Sequence, residues 1–152
     1  MLYLLYQAGL EIFLGVKNMV EYITGINGIG KTRVLVQTAA ATAQESKGNV
    51  VFIDCSNKLY LEMPSNIRLI NISDYEINSA VAFFGFLTGL CASDYDLTDV
   101  FVDSTMQIIS GKKTSINDFM DIVTKISEKT GVNFHFAVDD KQEKEMIYQN
   151  VI

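Results

Sequence analysis

Gly25-Ile26-Asn27-Gly28-Ile29-Gly30-Lys31-Thr32 is the stretch on which the reading of this 152-residue chain turns. The octet has the form Gly-x-x-x-x-Gly-Lys-Thr. It follows an extended apolar run, Val20-Glu21-Tyr22-Ile23, and precedes a helix-forming run from Arg33 to Ala41. Strand, glycine-rich turn and helix, in that order, form the context in which such an octet cradles phosphate. Gly25 and Gly30 reach backbone dihedrals closed to other residues, so the successive amides of Ile26, Asn27, Gly28 and Ile29 turn inward around an anion. Lys31 brings a cation to the outer phosphates, and Thr32 offers its hydroxyl to Mg²⁺. Arg33, which opens the helix, completes the candidate nucleotide-binding set.

Composition narrows the setting. Apolar residues make up 49 % of the chain and aromatic residues 11 %, with one proline and ten glycines, which describes a folded domain rather than a disordered one. The length suits one domain with one core. A formal charge of −6 excludes a broad nucleic-acid footprint, because counterion release needs clustered Lys and Arg, and only Lys112-Lys113 are adjacent. Cys55 and Cys91 have no Cys-x-x-Cys spacing, which fits a reduced, cytoplasmic chain better than a zinc site or disulfide framework. The longest apolar run, Ala80 to Ala92, falls short of the roughly 20 residues a bilayer needs. It reads as a buried helix capped by Ser79, so no transmembrane segment is expected.

Strands and helices alternate along the chain. Gly48-Asn49 ends the first helix, and Val50-Val51-Phe52-Ile53 is a continuous apolar strand ending in Asp54. Ile67 to Ile72 alternates apolar with mostly polar residues, the pattern of a strand near a sheet edge. After the apolar helix comes an acidic loop with Asp94, Asp96 and Asp99, then the strand Val100-Phe101-Val102, ending in Asp103. Beyond Gly111-Lys112-Lys113, the segment from Ser115 to Thr130 places Ile116, Phe119, Met120, Val123 and Ile126 on one helical face, with Gly131 ending it. Val132 to Val138 is the last strand, and Asp140 with Glu143 forms the cap pattern of a closing helix.

Continuous apolar strands joined by helices predict a parallel sheet covered on both faces, with ligands at the carboxyl ends of the strands. Gly25, Asp54, Asp103 and Asp139 all end strands and fall on that edge. Asp103, preceded by three apolar residues, has the form of a second nucleotide-binding motif whose carboxylate holds Mg²⁺ through its water shell. His135, flanked by Phe134 and Phe136, reads as a packed, hydrogen-bonded residue. Phe83, Phe84 and Phe86 read as core.

The octet and Val100 to Asp103 together resemble the P-loop NTPases. Phe52-Ile53-Asp54 with Val102-Asp103-Ser104 resembles the RecA-like branch, and the likeness covers residues 19–140. It implies an α/β three-layer sandwich with a mainly parallel sheet, in a minimal single domain that binds ATP or GTP with Mg²⁺ through Thr32 and Asp103. It also implies that the strand at 132–138 lies between the loop-bearing strand and the strand ending in Asp103; in the kinase and GTPase branch those two are neighbours. In the RecA-like branch a glutamate shortly after the second strand orients the attacking water. Ser56 stands at that position here, and Ser104 follows Asp103, so neither usual base is present. Asp139-Asp140 occupies the place of a polar γ-phosphate sensor.

Three functions fit these residues. The first is a slow ATPase acting as a conformational switch. The second is a non-hydrolysing ATP-binding interaction module. The third is a small-molecule kinase with Asp54 as proton acceptor and Lys31 acting on the phosphates, although no arginine-rich lid is recognisable. A neighbouring copy or another protein partner could complete the site. In size and pattern the chain also resembles small stand-alone bacterial ATP-binding proteins often labelled twitching-motility proteins; the retraction motors behind that label have acidic and histidine boxes, whereas this chain has one His.

Residues 1–18 are expected to be an extension outside the working domain, with Met19 as a natural start. Leu2, Leu5, Tyr6, Leu10, Phe13 and Leu14 are compatible with one side of an amphipathic helix.

Overall fold

Val50, Val51, Phe52 and Ile53 alternate between the two faces of their strand, and all four are buried because helices cover both faces. The computed structural model describes residues 4–7, 10–17, 19–24, 30–109 and 116–138. Gly25 to Ile29, the Gly111-Lys112-Lys113 loop, Asp139-Asp140 and the expected closing helix lie outside the described residues.

The described strands are β1 (Leu4–Gln7), β2 (Leu10–Lys17), β3 (Val20–Thr24), β4 (Asn49–Asp54), β5 (Ile67–Asn71), β6 (Leu97–Val102) and β7 (Asn133–Ala137). They form one sheet in the order β1-β2-β3-β7-β6-β4-β5. The five strands from β3 to β5 are all parallel. β7 pairs with β3 on one side and β6 on the other, which is the order expected of the RecA-like branch. β5 lies at the sheet edge, as its half-polar pattern implies, with Arg68 exposed between buried Ile67 and Ile70.

Helix α1 (Lys31–Glu45) packs Leu35 and Ala39 against Ile23, Phe52, Phe101 and Ala137 on one face. On the other face, α2 (Ala80–Ser93) and α4 (Ile116–Thr130) bring Phe83, Leu87, Phe119 and Val123 onto Ile53, Val102, Phe134 and Phe136. Three layers result, and α3 (Thr105–Ile108) is a single turn after β6. Gly131 ends α4 at φ 76°, its N–H donating to the Ser127 carbonyl at 2.8 Å. Gly48 precedes β4 where the chain passes against the next strand: a Cβ there would lie 2.0 Å from the Asp96 carbonyl oxygen.

Three expectations need correction. Residues 4–7 and 10–17 form strands, not a helix; β1 and β2 pair antiparallel and add to β3. Leu10, Ile12, Leu14 and Val16 alternate with period two, and this pattern outweighs the helical spacing of Leu10, Phe13 and Leu14. Lys17 pairs with Val20 across a two-residue connection in which Met19 takes φ 69°, the left-handed geometry that tight hairpins demand. Asp99 belongs not to the acidic loop but to β6, where it is buried. Helix α2, capped as expected by Ser79 accepting the Ala82 N–H, is buried on one side only. Val81, Ala82, Gly85, Thr88 and Gly89 are exposed.

Candidate functional site

β3, β4, β6 and β7 are parallel, so their carboxyl ends share one edge of the sheet, and α1 begins there. Gly30 is the N-cap of α1, and no acidic residue sits in its first turn to compete for an anion. Lys31 is buried at 6 % exposure, and its Nζ donates to the carbonyl of Val138, just past β7, at 3.0 Å. Val138 in turn donates its N–H to the Ile23 carbonyl at 2.9 Å, so the strand that bears the octet and the lysine's anchor are tied together. Arg33 points from the same turn into solvent.

Thr32 and Asp103 meet. The Thr32 hydroxyl donates to Asp103 Oδ2 at 2.7 Å, and the Ser104 N–H donates to Oδ1 at 2.8 Å. Ser104 holds that amide in place with a left-handed backbone, φ 54° and ψ 37°, which is uncommon for a residue with a side chain. The Asp103 N–H donates to the Ile53 carbonyl at 2.9 Å, which locks the end of β6 to the end of β4 and brings Asp54 alongside.

Asp54 is buried and accepts from the Cys55 N–H at 2.7 Å and the Ser56 hydroxyl at 3.2 Å. Burial pushes its carboxyl above the ordinary aspartate value, and the nearby Asp103 charge pushes the same way, against the hydrogen bonds from Cys55 and Ser56. The Cys55 thiol is likewise raised, by burial first and then by Asp54 and Asp103, which suppresses the thiolate. The Cys55 carbonyl accepts from Ser73 at 2.8 Å, pinning the loop after β4.

Of the candidate residues, Gly30, Lys31, Thr32, Arg33, Asp54 and Asp103 are therefore gathered at one edge, while Gly25 to Ile29 lie outside the described residues. One hydroxyl and one carboxylate, 2.7 Å apart, are a donor set suited to Mg²⁺, which takes its remaining oxygens from water and phosphate. Among the described residues no group of three or more His, Cys, Asp or Glu could hold a metal ion by itself.

Sequence reasoning missed the Val138 carbonyl, because a backbone acceptor leaves no mark in residue type. It also missed the surroundings of His135. The His135 ring lies between Glu21 of β3 and Asp99 of β6, with both nitrogens 2.9 Å from a carboxylate oxygen, and it stacks on Phe101 at 4.1 Å. Burial works to lower the histidine's pKa, but the hydrogen bonds it donates to Asp99 and Glu21 and the charges of those carboxylates outweigh it and raise the value. This pairing is structural: it joins three strands mid-sheet. A polar residue in a buried strand, Glu21 or Asp99, was the available signal.

No protein-family model and no curated protein matches the chain. Among solved structures it is similar to flagellar accessory protein FlaH from Methanocaldococcus jannaschii, with a TM-score of 0.56 and 16 % sequence identity over 84 % of this chain. The match spans 64 % of the FlaH chain, less than two thirds of its length. Among the described residues no helix is long and apolar enough to cross a membrane. Likeness of this kind speaks to fold: the five-stranded parallel sheet, its strand order and its covering helices are those of the RecA-like P-loop NTPase fold.

Proposed function

We propose that this protein binds a nucleoside triphosphate with Mg²⁺ at the carboxyl edge of the sheet, ATP before GTP, and hydrolyses it slowly as a conformational switch. The observation that carries the reading is the contact between Thr32 and Asp103, two residues 71 positions apart whose side chains meet beside Lys31. A hydroxyl and a carboxylate held together at the start of α1 serve one metal ion. When bound, Mg²⁺ draws charge from the phosphate oxygens. In this reading Lys31 exchanges its Val138 carbonyl for an outer phosphate, and the amides of the octet and of α1's first turn hold the rest.

Slow turnover follows from what stands near the phosphates. Ser56 occupies the position of the usual glutamate and spends its hydroxyl on Asp54. Among the described residues Asp54, with its raised pKa, is the carboxylate this reading assigns to take a proton from water, and it is held back by two hydrogen bonds. The sheet order, with β7 between β3 and β6, counts against the small-molecule kinase reading. Neither the accessory role named for FlaH nor the twitching label is carried over, because a shared fold hosts many functions.

Calorimetric titration of Mg-ATP into the protein and into Lys31→Ala tests the proposal. A charge-assisted contact contributes roughly 1.5–3 kcal/mol, so the variant is expected to bind about ten- to a hundredfold more weakly. Equal affinities would sink the nucleotide reading. Turnover per subunit across a protein concentration series then separates a self-contained site, whose rate is flat, from one completed by a neighbouring copy, whose rate rises.

A further inference from the structure

Val138 is held from two sides. Its N–H donates to the Ile23 carbonyl of β3 at 2.9 Å, and its own carbonyl accepts from Lys31 Nζ at 3.0 Å. Val138 is 1 % exposed and Lys31 6 %, so the second contact is shielded from water. A charged donor makes one of the stronger hydrogen bonds a backbone carbonyl can accept, and a buried carbonyl stripped of its donor is costly to leave bare. Further back along β7, His135 ties the strand to its neighbours through Glu21 of β3 and Asp99 of β6, both at 2.9 Å. The strand is therefore fixed at its middle, while its exit depends on the side chain that a bound nucleotide would draw on.

When Lys31 leaves for an outer phosphate, the Val138 carbonyl loses its charged donor. Asp139 and Asp140 follow directly in the sequence, so phosphates arriving beside Lys31 set like charge against the same exit. An unsatisfied carbonyl and like charge act in one direction, turning the exit of β7 toward water. We propose that the contact between Lys31 and Val138 is a latch operated by the nucleotide: closed in the empty site, open when phosphate engages Lys31, and reporting occupancy through the backbone that leaves β7. The inference rests on the nucleotide reading and adds to it the place where the bound state is displayed. Linkage makes the effect mutual, so a partner protein that engages the opened exit raises nucleotide affinity by the same factor by which nucleotide raises the partner's.

Amide hydrogen exchange in the full 152-residue protein, followed residue by residue by NMR, tests the latch. Saturating Mg-ATP is expected to slow exchange at Thr32 and Arg33 in the first turn of α1, the ordinary effect of a ligand. At Val138 the sign reverses: exchange is expected to quicken about tenfold or more, with Phe134 and Phe136 unchanged because His135 holds the middle of the strand. Lys31→Met, which keeps the bulk of the side chain and removes its donors, is expected to show the fast Val138 exchange without nucleotide. Slowed exchange in α1 with unchanged or slower exchange at Val138 overturns the latch and leaves the nucleotide reading standing; it is the result expected of a lysine that serves carbonyl and phosphate together. Val138 exchange in Lys31→Met equal to that of the wild type overturns it separately, because the contact then restrains nothing. The Mg-ATP arm needs no variant, so it decides even where Lys31→Met is unstable. Absence of any slowing at Thr32 and Arg33 removes the nucleotide reading, and the latch falls with it.

Discussion

The Thr32 hydroxyl donates to Asp103 Oδ2 at 2.7 Å, joining the first turn of α1 to the end of a strand two places away from β3 in the sheet. Two oxygen groups of this kind, one neutral and one anionic, are what a metal ion held mainly by phosphate and water needs from a protein. Asp103→Asn keeps the shape and removes the charge. It is expected to weaken Mg-ATP binding about tenfold or more while changing metal-free ATP binding little, a difference read by titration with and without Mg²⁺. Equal loss in both conditions would place Asp103 outside the metal site.

The Glu21–His135–Asp99 group sets a pH window for stability. His135 has a folded-state pKa above its ordinary 6.5, so its contribution is complete below pH 6.5 and is lost as pH rises through the folded value. The hydrogen bond to His135 lowers Glu21; burial opposes the same effect in Asp99, but the net shift there is also downward. Their contributions are complete above about pH 4.5, the higher of their ordinary values, and are lost on acidification. The melting temperature is therefore expected to peak between about pH 4.5 and 6.5 and to fall toward pH 8. His135→Gln should flatten the alkaline limb and cost roughly 3 kcal/mol near pH 6, because it leaves the Glu21 and Asp99 carboxylates without the cation between them, Asp99 well buried. An unchanged alkaline limb in the variant would refute the assignment.

Most of the chain from Val20 to Val138 was legible in the sequence, and the reason is burial. Continuous apolar strands such as Val50 to Ile53 have one physical interpretation once a glycine-rich octet and helices lie between them. The strand order came from the resemblance carried by the octet and Asp103, not from periodicity, which says nothing about neighbours. The hairpin was not legible because Leu10, Phe13 and Leu14 fit a helix while Leu10, Ile12, Leu14 and Val16 fit a strand. Pairing with β3 decides between them, and pairing is a property of the assembled sheet. At the candidate site, the gathering of Lys31, Thr32, Asp54 and Asp103 at one sheet edge followed from residue type and position. The Val138 carbonyl and the Asp99 contact to His135 could not, since each depends on which strands are adjacent. For α2, composition shows that apolar surface must be covered but not by what.

Glycines of opposite circumstance give opposite predictions. Gly48→Ala would drive a methyl into the Asp96 carbonyl at 2.0 Å, a backbone atom that cannot rotate away, so a loss of about 1–3 kcal/mol is expected. Gly85→Ala and Gly89→Ala meet open space in a helix interior, and each is expected to add about 0.5–1 kcal/mol. Urea denaturation of the three variants measures both signs. Destabilisation by Gly85→Ala would mean that the outer face of α2 is already covered within the chain.

The last prediction concerns the amino-terminal hairpin. The five parallel strands and their covering helices are complete without β1 and β2, and no described site residue lies on the hairpin, so the nucleotide site should survive its removal. Its removal has a different consequence. β2 pairs along the whole of β3, from Val20 to Thr24, and without it the strand that leads into the octet becomes a sheet edge with unpaired N–H and C=O groups. Residues 19–152 are therefore expected to bind Mg-ATP within about threefold of the full chain, less than half of the roughly 1.4 kcal/mol that a tenfold change represents. They should also self-associate at concentrations where the full chain does not, as measured by sedimentation. A truncated protein that stays dispersed but loses nucleotide affinity would show the reverse assignment, with the hairpin positioning the octet rather than shielding an edge.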